Sequence, residues 1–180
     1  YNFGFDNNLQ KDDIIFNKTI IDKSSLDIIN GSIVECGVFK GTSFVRFATL
    51  RNLFNKKKSK LIGFDHFSAD YPKSNFSNEM NVRKEFIKGA GESSISVKQL
   101  KNVLKKKKIG NYELVTGNVL ESIPKYVKKN NNMKIALLNV DIDFVESTEC
   151  VLENFYDKMV KGGVIVFDNY KGEIGNKNSK

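Results

Sequence analysis

The sequence predicts one α/β domain, a mostly parallel sheet with helices on both faces. Two observations lead there. Five short apolar runs recur along the chain, at Ser32–Cys36, Lys60–Phe64, Tyr112–Thr116, Ile135–Val140 and Val164–Phe167, each bounded by turn or polar residues. They are nearly continuous in apolar character rather than alternating, as in parallel strands buried on both faces. The segments between them show helical spacing, and strands alternating with helices make βαβ units with right-handed crossovers. A length of 180 residues suits one such domain, 1–180, and is short for two.

Residues 1–30 are read as an N-terminal helical cap, because Asp12–Ile29 forms one or two helices before the sheet begins. After the first strand, Ser43–Phe54 sets Phe44, Phe47, Leu50 and Phe54 at near-helical spacing. Residues 68–94 come after the second strand as a long polar stretch ending in glycine and serine, and are expected to be a lid or substrate loop. Val97–Leu104 repeats the helical pattern with Val97, Leu100, Val103 and Leu104. Ser147–Val160 opens on Ser147 and Thr148 as N-cap candidates and carries Val151, Leu152, Phe155 and Met159 on one face. It is expected to stop at Gly162-Gly163. The residues after Phe167 read as loop. A complete domain of this kind adds a helix and further strands, so C-terminal strands are expected to be missing, and the start without Met points to a trimmed N-terminus.

Composition narrows the function classes. Hydrophobic residues make up 40% and charged residues 28%, values of a globular chain rather than a disordered one. No apolar run is long enough to span a bilayer, and the first residues lack the basic start and apolar core of a signal peptide. Cys36 and Cys150 are too few for a disulfide framework, which fits a reducing cytoplasm. With His66 the one histidine and no CxxC spacing, a zinc site is not expected. The net charge of +8 raises a nucleic-acid or membrane partner. However, the lysines cluster at Lys56–Lys58 and Lys105–Lys108, at helix ends where cations complement the dipole, and no aromatics interleave with them. The reading adopted is a solvated surface, with neither nucleic acid nor membrane as partner.

The first strand runs through Glu35 and Cys36 into Gly37-Val-Phe-Lys-Gly41-Thr42-Ser43 and then a helix. Glycines there let a ligand approach the backbone, and the helix start offers unpaired N–H groups. A dinucleotide turn needs GxGxxG, but Phe39 stands where its second glycine belongs, and Glu35 would repel a pyrophosphate. The same carboxyl suits the ammonium and sulfonium charges of S-adenosylmethionine. Asp65, followed by His66, ends the second strand, where an acid can accept ribose hydroxyls. Gly117-Asn118-Val119 comes after the third, placed to face an adenine. The fourth and fifth strands end in Asp141 and in Asp168-Asn169. If neighbours, they bring three oxygen donors of a hardness that suits Mg²⁺ to one point. Asp141 also borders the cofactor. Asp143, two residues on, could take a proton as general base, and His66 is a second base candidate. The plainer alternative is that these acids cap helices or form turns.

The strings Ile33–Ser43, Gly63–Phe67, Gly117–Pro124, Asp141-Ile-Asp-Phe-Val-Glu-Ser-Thr148 and Gly162-Gly-Val-Ile-Val-Phe-Asp-Asn-Tyr170 together resemble the macrocin O-methyltransferase family of class I S-adenosylmethionine-dependent methyltransferases, whose fold is Rossmann-like. The resemblance runs from about Ser32 to Tyr170. It implies a Mg²⁺-dependent enzyme that methylates a hydroxyl of a sugar, nucleotide-sugar or glycoside. Asp141, Asp168 and Asn169 match the family's metal ligands, Asp143 its base, and Glu35, Gly37, Asp65 and Gly117 its cofactor pocket. It also implies a homo-oligomer. Two positions depart from the family: Asn169 stands where a second Asp is usual, and Val145 where a Tyr is usual. Transfer to nitrogen or to a catechol-type phenol, and a non-catalytic nucleic-acid-binding module on the same fold, are the alternatives.

Overall fold

Parallel pairing of strands that are distant in sequence builds the molecule. The computed structural model describes residues 30–54, 57–68 and 94–168. Within them the chain runs β1 (Ser32–Cys36), α1 (Thr42–Leu53), β2 (Leu61–Asp65), α2 (Val97–Lys106), β3 (Tyr112–Thr116), α3 (Val119–Lys129), β4 (Ile135–Val140), α4 (Val145–Phe155), a 3₁₀ turn (Tyr156–Lys158) and β5 (Met159–Phe167). The strands form one sheet in the order β3-β2-β1-β4-β5, every pair parallel. The order reverses between β1 and β4, so those two carboxyl ends border the crevice where open α/β sheets bind ligands.

Helices cover both faces, as the apolar runs require. On one face Ile123 and Tyr126 of α3 and Val151 and Phe155 of α4 pack on Val34, Cys36, Ile62, Phe64, Leu138 and Val140. Phe64 anchors this core, edge-on to Tyr126 at 5.2 Å and tilted against Phe155 at 5.5 Å. On the other face Phe44, Phe47 and Ala48 of α1 and Leu100 and Leu104 of α2 pack on Leu61, with Ile33, Leu114 and Leu137 alongside. Gly63 matters here: a Cβ would come within 2.7 Å of the Phe44 ring, so its bare backbone lets α1 lie close on β2.

The helix starts follow local chemistry. The Ser96 side chain accepts from the Gln99 N–H while the Gln99 side chain accepts from the Ser96 N–H, a capping box that opens α2. Asn118 Oδ1 accepts from the Leu120 N–H at 3.1 Å to open α3. At the far end of α1, buried Arg51 donates to the carbonyls of Ser59 (3.0 Å), Asn111 (2.7 Å) and Gly110 (2.6 Å), which precede β2 and β3.

The sheet, its parallel sense and its two helical layers agree with the sequence reading, and β1, β3 and β4 have the expected bounds. Three elements differ by more than two residues. The helix expected over Ser147–Val160 is α4, Val145–Phe155, and its N-cap is Phe144; Ser147 is buried inside the helix. The chain then tightens into the 3₁₀ turn and enters β5 at Met159, which pairs with Ile135, so β5 begins five residues before the expected Val164. The sequence reading places no helix where α3 lies. The helical cap over 1–30 and the lid over 68–94 lie, apart from residues 30, 68 and 94, outside the described residues.

Candidate functional site

All five strands point the same way, so Cys36, Asp65, Thr116, Val140 and Phe167 finish on one edge. At its centre backbone bonds lock the end of β1 to β4 on one side and to β2 on the other. The Asp141 N–H donates to the Cys36 carbonyl at 2.8 Å, and the Gly37 N–H donates to the Phe64 carbonyl at 2.9 Å. Gly37 has φ 92, and a Cβ there would overlap the Asp141 carbonyl outright. Only glycine fits this turn, for its conformation and for its contact.

Glu35 sits one residue before this joint, opposite Asn139 of β4 and Gly63 of β2. Its side chain is fully buried, on the α1 side of the sheet, and the Asn139 amide donates to its Oε1 at 3.2 Å. Burial pushes its carboxyl up to about 8. The Ser43 and Asn139 side chains oppose that rise, while the Asp141 and Asp65 carboxyls add to it. The next side chain, Cys36, points into the α3/α4 core, where burial raises its thiol well above the ordinary value, so it meets the edge through backbone only.

The turn after Gly37 is shaped by Asp65. Its Oδ2 accepts from the N–H groups of Val38 (2.7 Å) and Phe39 (2.8 Å), and its Oδ1 from Phe67 N–H (2.7 Å). Ser94 Oγ lies 3.3 Å from Oδ1 and donates to the Phe39 carbonyl at 2.9 Å, and the Ile95 N–H donates to that carbonyl at 2.7 Å. Gly41, at φ 79, caps α1, leaving Thr42 exposed and Ser43 half-buried at the helix start. His66 comes next after Asp65, with its Nδ1 2.8 Å from Ser68 Oγ.

On the β3 side Gly117 donates its N–H to the Asp65 carbonyl at 3.1 Å; at φ 120 it faces open space, with no heavy atom within 4 Å of where a Cβ would be. Asn118 is half-buried and uses its oxygen as the α3 cap, while the Val119 side chain belongs to the core. On the β5 side Val140 pairs with Phe167, and the Asp168 N–H donates to the Val140 carbonyl at 3.2 Å. Asp141 and Asp168 therefore leave neighbouring strand tips side by side. Asp143 is exposed in the turn before α4. Asn169, the third expected oxygen donor, lies outside the described residues, and among those described no group of three His, Cys, Asp or Glu side chains could hold a metal ion.

The edge thus gathers Glu35, Gly37, Phe39, Asp65, Gly117, Asp141 and Asp168. Sequence reasoning missed Asn139 and Ser94. Asn139 pairs in register with Glu35 and is polar within an otherwise apolar strand, a signal that was available. Ser94 carried no comparable signal.

The chain is similar to known proteins in sequence and in fold. The family model described as Macrocin-O-methyltransferase (TylF) matches residues 16–178. No curated protein matches the sequence. Among solved structures, CalS11, a calicheamicin methyltransferase, is similar at 22% identity and TM-score 0.62, over 91% of this chain and 67% of that one. Its apo structure, titled as a TDP-rhamnose 3′-O-methyltransferase, gives 23%, 0.58, 91% and 66%. The O-methyltransferase NovP gives 17%, 0.69, 87% and 64%. The chain spans about two thirds of the length of these structures.

Proposed function

The chain belongs to the macrocin O-methyltransferase family, and from that premise we propose that it transfers a methyl group from S-adenosylmethionine to a hydroxyl of a sugar or glycosylated metabolite. The observation that carries this reading is the buried Glu35, beside Asp65 and Asp141 at the point where the strand order reverses. Burial holds a proton on Glu35 in the empty site, and an arriving cation favours its release; ionised beside Asp65 and Asp141, it repels the pyrophosphate of a dinucleotide and attracts positive charge. S-adenosylmethionine supplies an electrophilic methyl on a sulfonium and carries an ammonium as well. Glu35 faces that charge from beneath. Gly37, Phe39 and Gly41–Ser43 present backbone to it, with the backbone of Cys36 and the edge of Asp141. Gly117, Asn118 and Val119 border the adenine side, and His66 flanks the ribose side.

The acceptor binds toward β4 and β5, the side on which the fold leaves Asp143 exposed. Asp143 is assigned to receive the hydroxyl proton as the methyl leaves sulfur, with His66 as a lining base. Asp141 and Asp168 are donors of the kind Mg²⁺ takes, at adjacent strand tips, with Asn169 as the expected third. A bound Mg²⁺ would lower the pKa of the acceptor hydroxyl. A homo-oligomer belongs to the same proposal, and light scattering of the purified chain measures it.

Calorimetry tests the reading directly. Titration with S-adenosylmethionine or S-adenosylhomocysteine is expected to give saturable binding, lost in Glu35→Ala. A folded chain that binds neither ligand overturns the proposal. Turnover of nucleotide-linked sugars is expected to fall on adding EDTA and to return with Mg²⁺; turnover indifferent to EDTA removes the metal from it.

A further inference from the structure

The central strand β4 is apolar except at one position. It reads Ile-Ala-Leu-Leu-Asn-Val, and its Asn139 is only 4% exposed. An amide buried among such neighbours costs free energy unless it is hydrogen-bonded. In register Asn139 pairs with Val166 on one side and with Glu35 on the other. It uses the second, donating to Glu35 Oε1 at 3.2 Å.

Glu35 has no such partner on its other flank. There β2 supplies Gly63, and the space over that glycine is taken by the Phe44 ring and the Val38 side chain. The carboxyl is faced by the Ser43 side chain of α1 and by the acids Asp65 and Asp141. Its Oε2 is sealed from solvent and has no hydrogen-bond partner among the described residues. A sealed carboxylate attracts a cation without touching it, because charges in a low-dielectric interior act over longer distances than in water. An amide N–H bonds a carboxylate more strongly than a neutral carboxyl, so Asn139 favours the charged form that a cation over the turn calls for.

We propose that Asn139 is a positioning residue for the cofactor: by holding Glu35 Oε1 it keeps the carboxylate charge beneath the Gly37–Ser43 turn, where the ammonium of the cofactor's amino-acid end binds, and it acts on the ligand through Glu35 alone. This rests on the reading that the turn receives S-adenosylmethionine. It divides the cofactor in two: the hold on the amino-acid end depends on Asn139, and the hold on the nucleoside does not.

The test uses the full chain and calorimetric titration with two ligands. One is S-adenosylhomocysteine; the other is methylthioadenosine, which keeps the nucleoside and thioether and lacks the amino acid. Asn139→Leu replaces the amide by an apolar group of similar shape. It is expected to weaken S-adenosylhomocysteine about tenfold or more, the scale of a hydrogen bond to a charged group, and to leave methylthioadenosine within about twofold. Asn139→Ala, which adds no bulk, is expected to give the same split. A double-mutant cycle with Glu35→Gln supplies a second readout. Once the carboxylate is gone Asn139 has nothing left to act through, so Asn139→Leu in the Glu35→Gln background is expected to change S-adenosylhomocysteine affinity by less than about twofold. The cycle decides where methylthioadenosine binds too weakly to titrate. The proposal is overturned if the Asn139 variants weaken both ligands equally, the mark of a structural role, or change neither. It is also overturned if their loss is as large in the Glu35→Gln background as alone. A folded wild type that binds neither ligand sinks the cofactor reading and this proposal together, whereas a wild type that binds with no split among its variants sinks this proposal alone.

Discussion

At Glu35 a carboxyl lies fully buried between two neighbouring strands, with one oxygen on the Asn139 amide and two further acids nearby. Its pKa rises from 4.5 to about 8 on folding, so the folded chain binds this proton more tightly than the unfolded one. The stability this contributes is complete below the unfolded value and is lost as pH rises through about 8. Calorimetric unfolding of the ligand-free protein between about pH 5.5 and 9 is expected to show the melting temperature falling with pH. Glu35→Gln, which keeps shape and sheds the ionisation, is expected to be flatter and more stable above about pH 8, by on the order of a few kcal/mol. A wild type and variant with parallel profiles would contradict the assignment. The acid and the glycines around it were legible from sequence because strand-end chemistry is local. Their partners were not. Asn139 lies 104 positions from Glu35, and Ser94 lies 55 from Phe39 and 29 from Asp65, separations that only the sheet order closes.

Between residue and fold, the elements show where pattern reading succeeds. β1, β3 and β4 are short apolar runs with polar ends, and nothing competes with that signal. α3 escaped because Pro124 sits inside it and proline removes a helical hydrogen bond. Val119, Ile123 and Tyr126 nevertheless recur at the helical period and all reach the core. The end of α4 misled for the opposite reason. Met159 continues the apolar stripe of Val151 and Phe155, yet its backbone pairs with Ile135 in β5, since tertiary pairing overrides local periodicity. Two predictions belong at this scale. Arg51 closes the end of α1 on the chain entering β2 and β3, and burial lowers its pKa. Arg51→Ala takes the guanidinium away from three carbonyls, of which Asn111 keeps the Leu61 N–H, and is expected to cost about 3 kcal/mol in urea unfolding. Removing the α2 capping box with Ser96→Ala is expected to cost about 1 kcal/mol by the same measurement.

Across the whole molecule, the lysine clusters and the acidic strand tips occupy opposite edges of the sheet. Arg51 places the end of α1 beside the residues that enter β2 and β3, and exposed Lys57, Lys58 and Lys105–Lys108 cluster at that end of the helices. Glu35, Asp65, Asp141 and Asp168 lie at the other edge. Those exposed lysine clusters are thus remote from the crevice. A ligand at that crevice touches the tips of several strands at once and should stabilise the sheet as a unit. S-adenosylhomocysteine at about 100 times its Kd is expected to add about 2.7 kcal/mol and raise the melting temperature by about 5 to 10 °C. No thermal shift at millimolar S-adenosylhomocysteine would mean that the folded chain does not bind it, against the cofactor assignment.

The Gly37–Asp141 contact has a bearing on how such a protein can change. No more than a hydrogen atom fits between the loop that would grip the donor and the loop that opens toward the acceptor, so the joint has no play. Whatever an acceptor does to the second loop is felt by the first, and linkage makes the influence equal in both directions. A variant selected for a new acceptor through changes after β4 would therefore alter its hold on the donor as well, and the two preferences would drift together.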